Sequence, residues 1–172
     1  PVSLVGLPGS GKSTVARLLA QRLGWRWVDL DERIEAVSGH TVPELFAHGE
    51  DHFRHLESEV LRGVLAVPTG LVVATGGGIV GSATNRVTLA ERSTVVWLDV
   101  PEEALLARLQ ADDTPRPLLE EGDPVARLTE LARLRRPLYE ATAAHRVDGS
   151  GAPDEVVDAL LTLLAGTPKS AR

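Results

Sequence analysis

Short apolar runs alternate along this chain with stretches whose apolar residues recur every three or four positions. Val2-Ser3-Leu4-Val5, Leu71-Val72-Val73-Ala74 and Thr94-Val95-Val96-Trp97-Leu98 are too short for helices and nearly continuously apolar. That is the signature of strands buried on both faces of a parallel sheet. Trp27-Val28 begins a short second strand and Arg146-Val147 reads as a weak fifth. Val15, Leu18, Leu19 and Leu23 follow the first strand at helical spacing, and Val156, Val157, Leu160, Leu161 and Leu164 mark one face of a terminal helix over Pro153–Leu164. The alternation predicts an α/β fold in three layers, a central five-stranded parallel sheet with helices on both faces. Residues 30–65 form a helical stretch too long for one crossover helix. Thr41-Val42-Pro43-Glu44 is a capping box, so a new helix is expected to begin there.

Composition narrows the class. The 172 residues suit one domain, and 43% apolar with 24% charged residues is ordinary for a globular protein. A formal net charge of −6 argues against a large nucleic-acid footprint, which needs a basic face. No run approaches membrane-spanning length, and the start lacks a basic segment followed by an apolar one. Zero cysteines exclude disulfides and thiolate chemistry and are compatible with a cytoplasmic location. Six aromatic residues and no conspicuous apolar surface stripe make a monomer the expectation.

The chemistry begins at Gly6-Leu7-Pro8-Gly9-Ser10-Gly11-Lys12-Ser13, which fits G-x-x-x-x-G-K-[ST] at every fixed position and sits between the first strand and the first helix. Such a P-loop curls successive backbone N–H groups around phosphate oxygens; its lysine reaches the β- and γ-phosphates and its hydroxyl can ligate Mg²⁺. The expected ligand is a nucleoside triphosphate. Asp29 and Asp31 flank Leu30 at the end of the second strand, the edge where ligands bind in open α/β sheets. On an extended chain both would point the same way. One could hold Mg²⁺ through water while the other accepts a proton from an attacking hydroxyl; alternatively, Asp31 caps the helix that follows. Thr75-Gly76-Gly77-Gly78 closes the third strand, so backbone can approach an anion or hydroxyl closely where many P-loop enzymes carry an aspartate. Arg54, Arg116 and Arg135 carry the guanidinium fork suited to carboxylate or phosphate. Asp112-Asp113-Thr114-Pro115-Arg116-Pro117 and Glu120-Glu121-Gly122-Asp123-Pro124 make a polar, proline-broken segment of the kind that forms lids. The expected organisation is a single domain over 1–172: core 1–29, 62–110 and 125–165, a helical substrate-binding insertion at about 30–61, a lid at about 111–124, and a frayed tail at 166–172.

The ordered set GLPGSGKST, Asp29-x-Asp31, Phe53-Arg54-x-x-Glu57, ATGGG at 74–78, Arg116-Pro117-Leu118-Leu119 and Arg135-x-Pro137-Leu138-Tyr139 closely resembles the shikimate kinases over essentially the whole chain. The resemblance implies transfer of the γ-phosphoryl of ATP to the 3-hydroxyl of shikimate, with Mg²⁺ as cofactor. It implies that Asp31 contacts the substrate hydroxyls and acts as base, and that Asp29 supports Mg²⁺ through water with Ser13. Arg54 and Arg135 would clamp the shikimate carboxylate with backbone from Gly76, Gly77 and Gly78. Glu57 would orient Arg54, Phe46 and Phe53 would line the pocket, and Arg116 would swing toward the transferring group. Gly9, Ser10, Gly11, Lys12, Ser13 and Thr14 would cradle the phosphates, with adenine near Arg108 and the Val147-Asp148 segment. The family usually has Val-Asp-Thr there, and Gly149 replaces the threonine, which removes a hydroxyl near the base. Asp99 ends the fourth strand without being marked as a metal ligand. The alternatives are another small-metabolite kinase, such as a gluconate kinase, or a non-catalytic ATP-binding regulatory module.

Overall fold

The computed structural model describes residues 1–111 and 123–166. The alternation expected from the apolar pattern is what folds. The order is β1 (Val2–Val5), α1 (Lys12–Leu23), β2 (Arg26–Asp29), α2 (Leu30–Ser38), α3 (Val42–Ala47), α4 (Glu50–Val64), β3 (Leu71–Ala74) and a 3-10 turn at Ile79–Gly81. Then come α5 (Ala83–Arg92), β4 (Thr94–Asp99), α6 (Glu102–Gln110), α7 (Pro124–Thr142), β5 (His145–Asp148) and α8 (Pro153–Gly166). The five strands pair in parallel in the order β2-β3-β1-β4-β5.

Strand alternation divides the core into two layers. Val2 and Leu4 of β1, Val72 and Ala74 of β3, and Val96 and Leu98 of β4 pack with Val15, Leu19 and Leu160 of α1 and α8. Val5, Val73, Val95 and Trp97 point the other way, into a layer with Leu30, Ile34, Leu61, Leu89, Leu128 and Tyr139 from α2, α4, α5 and α7. A sheet covered on both faces needs near-continuous apolar strands, which is why β1, β3 and β4 were plain in the sequence while edge strands β2 and β5 were faint. β1 lies centrally, with β3 on one side and β4 on the other. The crevice at its carboxyl end is therefore the switch point where an α/β sheet binds its ligand.

Three helices fill the stretch read as helical from 30 to 65. Thr41 accepts from the Glu44 backbone N–H while the Glu44 carboxylate accepts from Thr41 N–H at 2.7 Å, so the capping box starts α3 as expected. The additional break falls at Gly49, whose φ of 120° lets the chain turn into α4. The reading of Asp31 as a helix cap is corrected. Asp29 is the N-cap of α2, its carboxylate accepting from the backbone N–H of Asp31 and Glu32. Asp31 lies inside the first turn, so strand alternation is not what aims the two carboxylates at one place.

Candidate active site

The loop after β1, the end of β2, α2, α4, the glycine turn after β3 and α7 surround one cavity of about 790 Å³. Its nucleotide end is built by Gly11, which turns at φ 84° into α1. No side chain among the described residues caps that helix start, so its first backbone N–H groups stay available to an anion. Lys12 is buried and its Nζ donates to the carbonyls of Gly6 and Leu7, both at 2.9 Å, and to the Ser10 hydroxyl at 3.2 Å. This holds the ammonium against the floor of the loop. Gly9, Ser13 and Thr14 line the cavity, whereas Ser10 is buried beneath the loop and serves as a partner of Lys12. Arg108, from α6, lines the same end and donates to Gly149 O at 2.9 Å and Ser150 O at 3.1 Å. It thus ties the loop after β5 to the phosphate loop. Asp148 lies outside the cavity lining; its exposed carboxylate is engaged by the backbone N–H and hydroxyl of Ser150. Arg116 and the acidic residues Asp112, Asp113, Glu120 and Glu121 lie outside the described residues.

Asp29 joins the two ends of the cavity. One carboxylate oxygen caps α2 and the other accepts from the Ser13 hydroxyl at 2.5 Å. A hydroxyl and a carboxylate side by side are hard oxygen donors of the kind Mg²⁺ takes when phosphates and waters complete its shell. The described residues hold no group of three or more His, Cys, Asp or Glu placed to bind a metal by themselves. The donor set therefore fits a nucleotide-borne Mg²⁺ rather than an all-protein cage.

The other end is ionic on an aromatic support. Arg54 of α4 bonds Glu57 at 3.0 Å and Glu50 at 3.1 Å, and its guanidinium lies 5.1 Å from the Phe53 ring centroid and 5.6 Å from that of Phe46. The two rings are 4.5 Å apart. Phe46 and Phe53 therefore hold the arginine as well as line the cavity. Burial would loosen the Arg54 proton, but Glu57 and Glu50 more than offset that and keep it firmly cationic. Burial pushes the Asp31 carboxyl up to about 6, with the charge of Asp29 adding to it and Lys12 and Arg54 opposing. Glu57 is pushed up to about 7, again chiefly by burial, against the pull of Arg54.

The glycine turn is fitted to these groups. A Cβ on Gly76 would stand 2.9 Å from Asp31 Oδ1 and 3.2 Å from Glu57 Oε1, and one on Gly78 would meet the Arg54 guanidinium at 2.5 Å. Gly76 and Gly78 leave room for these three polar side chains, while a Cβ on Gly77 would stand 3.0 Å from Pro8 of the phosphate loop. Asp31 Oδ1, Glu57 Oε1 and Arg135 Nη1 are buried without a hydrogen-bond partner. Two acceptors and one cationic donor left unpaired around one cavity describe a ligand with hydroxyl donors and an anionic group. Tyr139, quoted in the Arg135 motif without a role, also belongs here: its buried hydroxyl donates to the Gly77 carbonyl at 2.5 Å. Its signal in the sequence was the four-residue spacing from Arg135. Pro8 of the phosphate loop, Thr41, Val42 and Pro43 of the capping box, and Glu35 line the cavity as well, and the sequence reading gave none of them a place in the site. Asp99, by contrast, is an ion-pair partner of Arg136 and Arg146.

A P-loop at the switch point of a parallel sheet, beside an Asp–Ser pair and a pocket for a hydroxylated anion, defines a phosphoryl-transferring kinase of small molecules. The model of the family described as Shikimate kinase matches residues 8–165, and this chain belongs to that family. It is 51% identical over 163 residues to a shikimate kinase of Gloeobacter violaceus, covering 94% of this chain and 90% of that one. A shikimate kinase of Neisseria gonorrhoeae is 40% identical over 163 residues, covering 94% of each. The solved structure of the Acinetobacter baumannii shikimate kinase in complex with shikimate aligns with a TM-score of 0.92 at 37% identity, covering 98% of this chain and 94% of that one. A gluconokinase from Sinorhizobium meliloti aligns at a TM-score of 0.62 and 20% identity, which is a likeness of fold.

Proposed function

We propose that this chain transfers the γ-phosphoryl group of ATP to the 3-hydroxyl of shikimate, giving shikimate 3-phosphate and ADP. The observation that carries the reading is a set of three buried polar atoms without a hydrogen-bond partner, Asp31 Oδ1, Glu57 Oε1 and Arg135 Nη1, on side chains that line the same cavity as the phosphate loop. Shikimate has a carboxylate for Arg54 and Arg135 and hydroxyls for Asp31. A cavity of 790 Å³ has room for it together with a nucleotide.

Lys12 and the open N–H groups at the start of α1 hold the phosphate oxygens, and Ser13 with Asp29 would hold Mg²⁺. Bound there, the ion would neutralise charge on the β- and γ-phosphates. Arg54 and Arg135 fix the acceptor by its carboxylate, and Glu57 and the two phenylalanines fix Arg54. Asp31 then takes the proton of the 3-hydroxyl as its oxygen bonds to the γ-phosphorus and the bond to the β-bridging oxygen breaks. ADP leaves with that electron pair. A carboxylate raised to about 6 is better matched to a hydroxyl proton than an ordinary aspartate and is still ionised at pH 7. Arg116, which lies outside the described residues, is assigned to the transferring phosphoryl group by resemblance alone. Arg108 would flank the adenine, a role its position in the cavity lining supports. The expected setting is the cytoplasm and the expected working form a monomer; among the described residues no helix is long and apolar enough to cross a membrane.

The test is the product. Phosphorus and proton NMR of a reaction with Mg²⁺-ATP and shikimate should show one new phosphomonoester coupled to the proton on C3. A phosphate on another hydroxyl, or inorganic phosphate alone, would overturn the assignment.

A further inference from the structure

Helix α7 carries Arg135, yet the turn around it is weakened from within. Pro137 lies inside the helix, where it removes one N–H from the ladder and crowds the carbonyl four residues back. What holds this turn against the sheet is tertiary. Arg136 donates to the Asp99 carboxylate at 2.6 Å and to Val100 O at 2.9 Å. One turn beyond Arg135, Tyr139 is fully buried, with its ring 5.9 Å from that of Trp97 and its hydroxyl on the Gly77 carbonyl. Gly77 is the middle of the turn whose neighbours touch Asp31, Glu57 and Arg54. Burial drives the phenol pKa far above its ordinary value, with the charge of Arg135 opposing, so the hydroxyl keeps the proton it donates to Gly77.

We propose that Tyr139 is a positioning residue for the acceptor, joining the glycine turn under Asp31 and Arg54 to Arg135 on α7 and so setting the distance between the two halves of the carboxylate clamp. The phenol O–H donates to Gly77, and the residue stands one helical turn from Arg135 on α7. Removing the phenol oxygen takes the tyrosine's bond from the partly buried Gly77 carbonyl and frees the Arg135 turn, whose ladder Pro137 has already interrupted. Tyr139 is not among the residues that line the cavity, and its bond runs to the glycine turn, so its influence should fall on acceptor binding. The inference rests on the assignment of shikimate as acceptor.

Tyr139→Phe keeps the ring and its packing on Trp97. The variant is expected to raise the KM for shikimate about tenfold, to leave the KM for ATP within about twofold, and to lower kcat by less than about threefold. In an Arg135→Lys background the same change should have little further effect on the shikimate KM, because the group it positions is already gone. Equal losses toward both substrates, or an undiminished effect in the Arg135→Lys background, would overturn the proposal. A second measurement avoids the variant altogether. Tyr139 is the single tyrosine of the chain, so incorporated 3-fluorotyrosine gives one fluorine resonance. It should shift on adding shikimate alone and hold on adding ADP alone; a resonance that ignores shikimate overturns the proposal even where Tyr139→Phe fails to fold. Parent enzyme without shikimate-dependent turnover would defeat the acceptor assignment instead, whereas active parent with an unchanged Tyr139→Phe defeats this inference only.

Discussion

Asp31 is a carboxylate whose surroundings oppose its charge. Burial raises it to about 6, and Glu57 beside the same glycine turn stands at about 7. Since the base must be ionised, kcat/KM should fall as pH drops through 7 to 6, and Asp31→Asn should abolish the limb along with at least about a hundredfold of kcat. A pH profile flat from 7.5 to 5.5 would remove Asp31 from the role. Stability moves the opposite way. Groups with raised pKa values stabilise the fold fully below their unfolded values near 4, and that contribution is lost as pH rises through 6 to 7. Asp31→Asn should therefore gain stability over the parent at pH 8 relative to pH 5, by on the order of 1 kcal/mol. Urea unfolding at the two pH values checks the sign. Arg54→Ala leaves a bound carboxylate half-paired and Glu57 without its cation, and should raise the shikimate KM at least about tenfold. A KM within about twofold of the parent would take Arg54 out of the clamp.

At the scale of elements, Asp29 works on three of them, ending β2 and capping α2 while holding Ser13 at the start of α1. Asp29→Asn keeps an N-cap acceptor and should unfold like the parent, yet lose most of its turnover because the negative charge beside Ser13 is gone. Asp29→Ala should lose the turnover and about 1 kcal/mol of stability as well. Equal unfolding midpoints for the two variants would refute the capping role. The glycine turn offers a cleaner separation. Gly78 has φ of −90°, so alanine is unstrained there, but its Cβ would press on the Arg54 guanidinium. Gly78→Ala should raise the shikimate KM severalfold with an unfolding midpoint close to the parent's. What was legible beforehand follows from the same physics. The phosphate loop, the capping box at Thr41 and strands β1, β3 and β4 are local patterns, each specified by neighbouring residues. The bond from Ser13 to Asp29, the stacking of Phe46 and Phe53 around Arg54 and the bond from Tyr139 to Gly77 join residues through the packed fold, and no spacing in the chain encodes them.

Over the whole molecule, the sheet brings four loops to one edge: the phosphate loop after β1, Asp29 after β2, the glycine turn after β3 and Asp99 after β4. Three of them meet in the cavity, while Asp99 serves as an anchor for α7 and β5 through Arg136 and Arg146. The helices from 30 to 64 bring Asp31, Arg54 and Glu57 to the cavity, and α7 and the glycine turn bring Arg135 and the backbone of Gly76–Gly78, so the proposed acceptor site draws on elements outside the phosphate loop. A gluconate kinase could keep this sheet and this loop; it would have to differ at Arg54, Glu57, Arg135 and the glycine turn. The most direct measurement is therefore ADP release from Mg²⁺-ATP with shikimate, with gluconate and with neither, for the parent and for Asp31→Asn. Strong stimulation by shikimate alone, lost in Asp31→Asn, is the predicted result. Stimulation by gluconate, or ATP binding with no release under any acceptor, would contradict it.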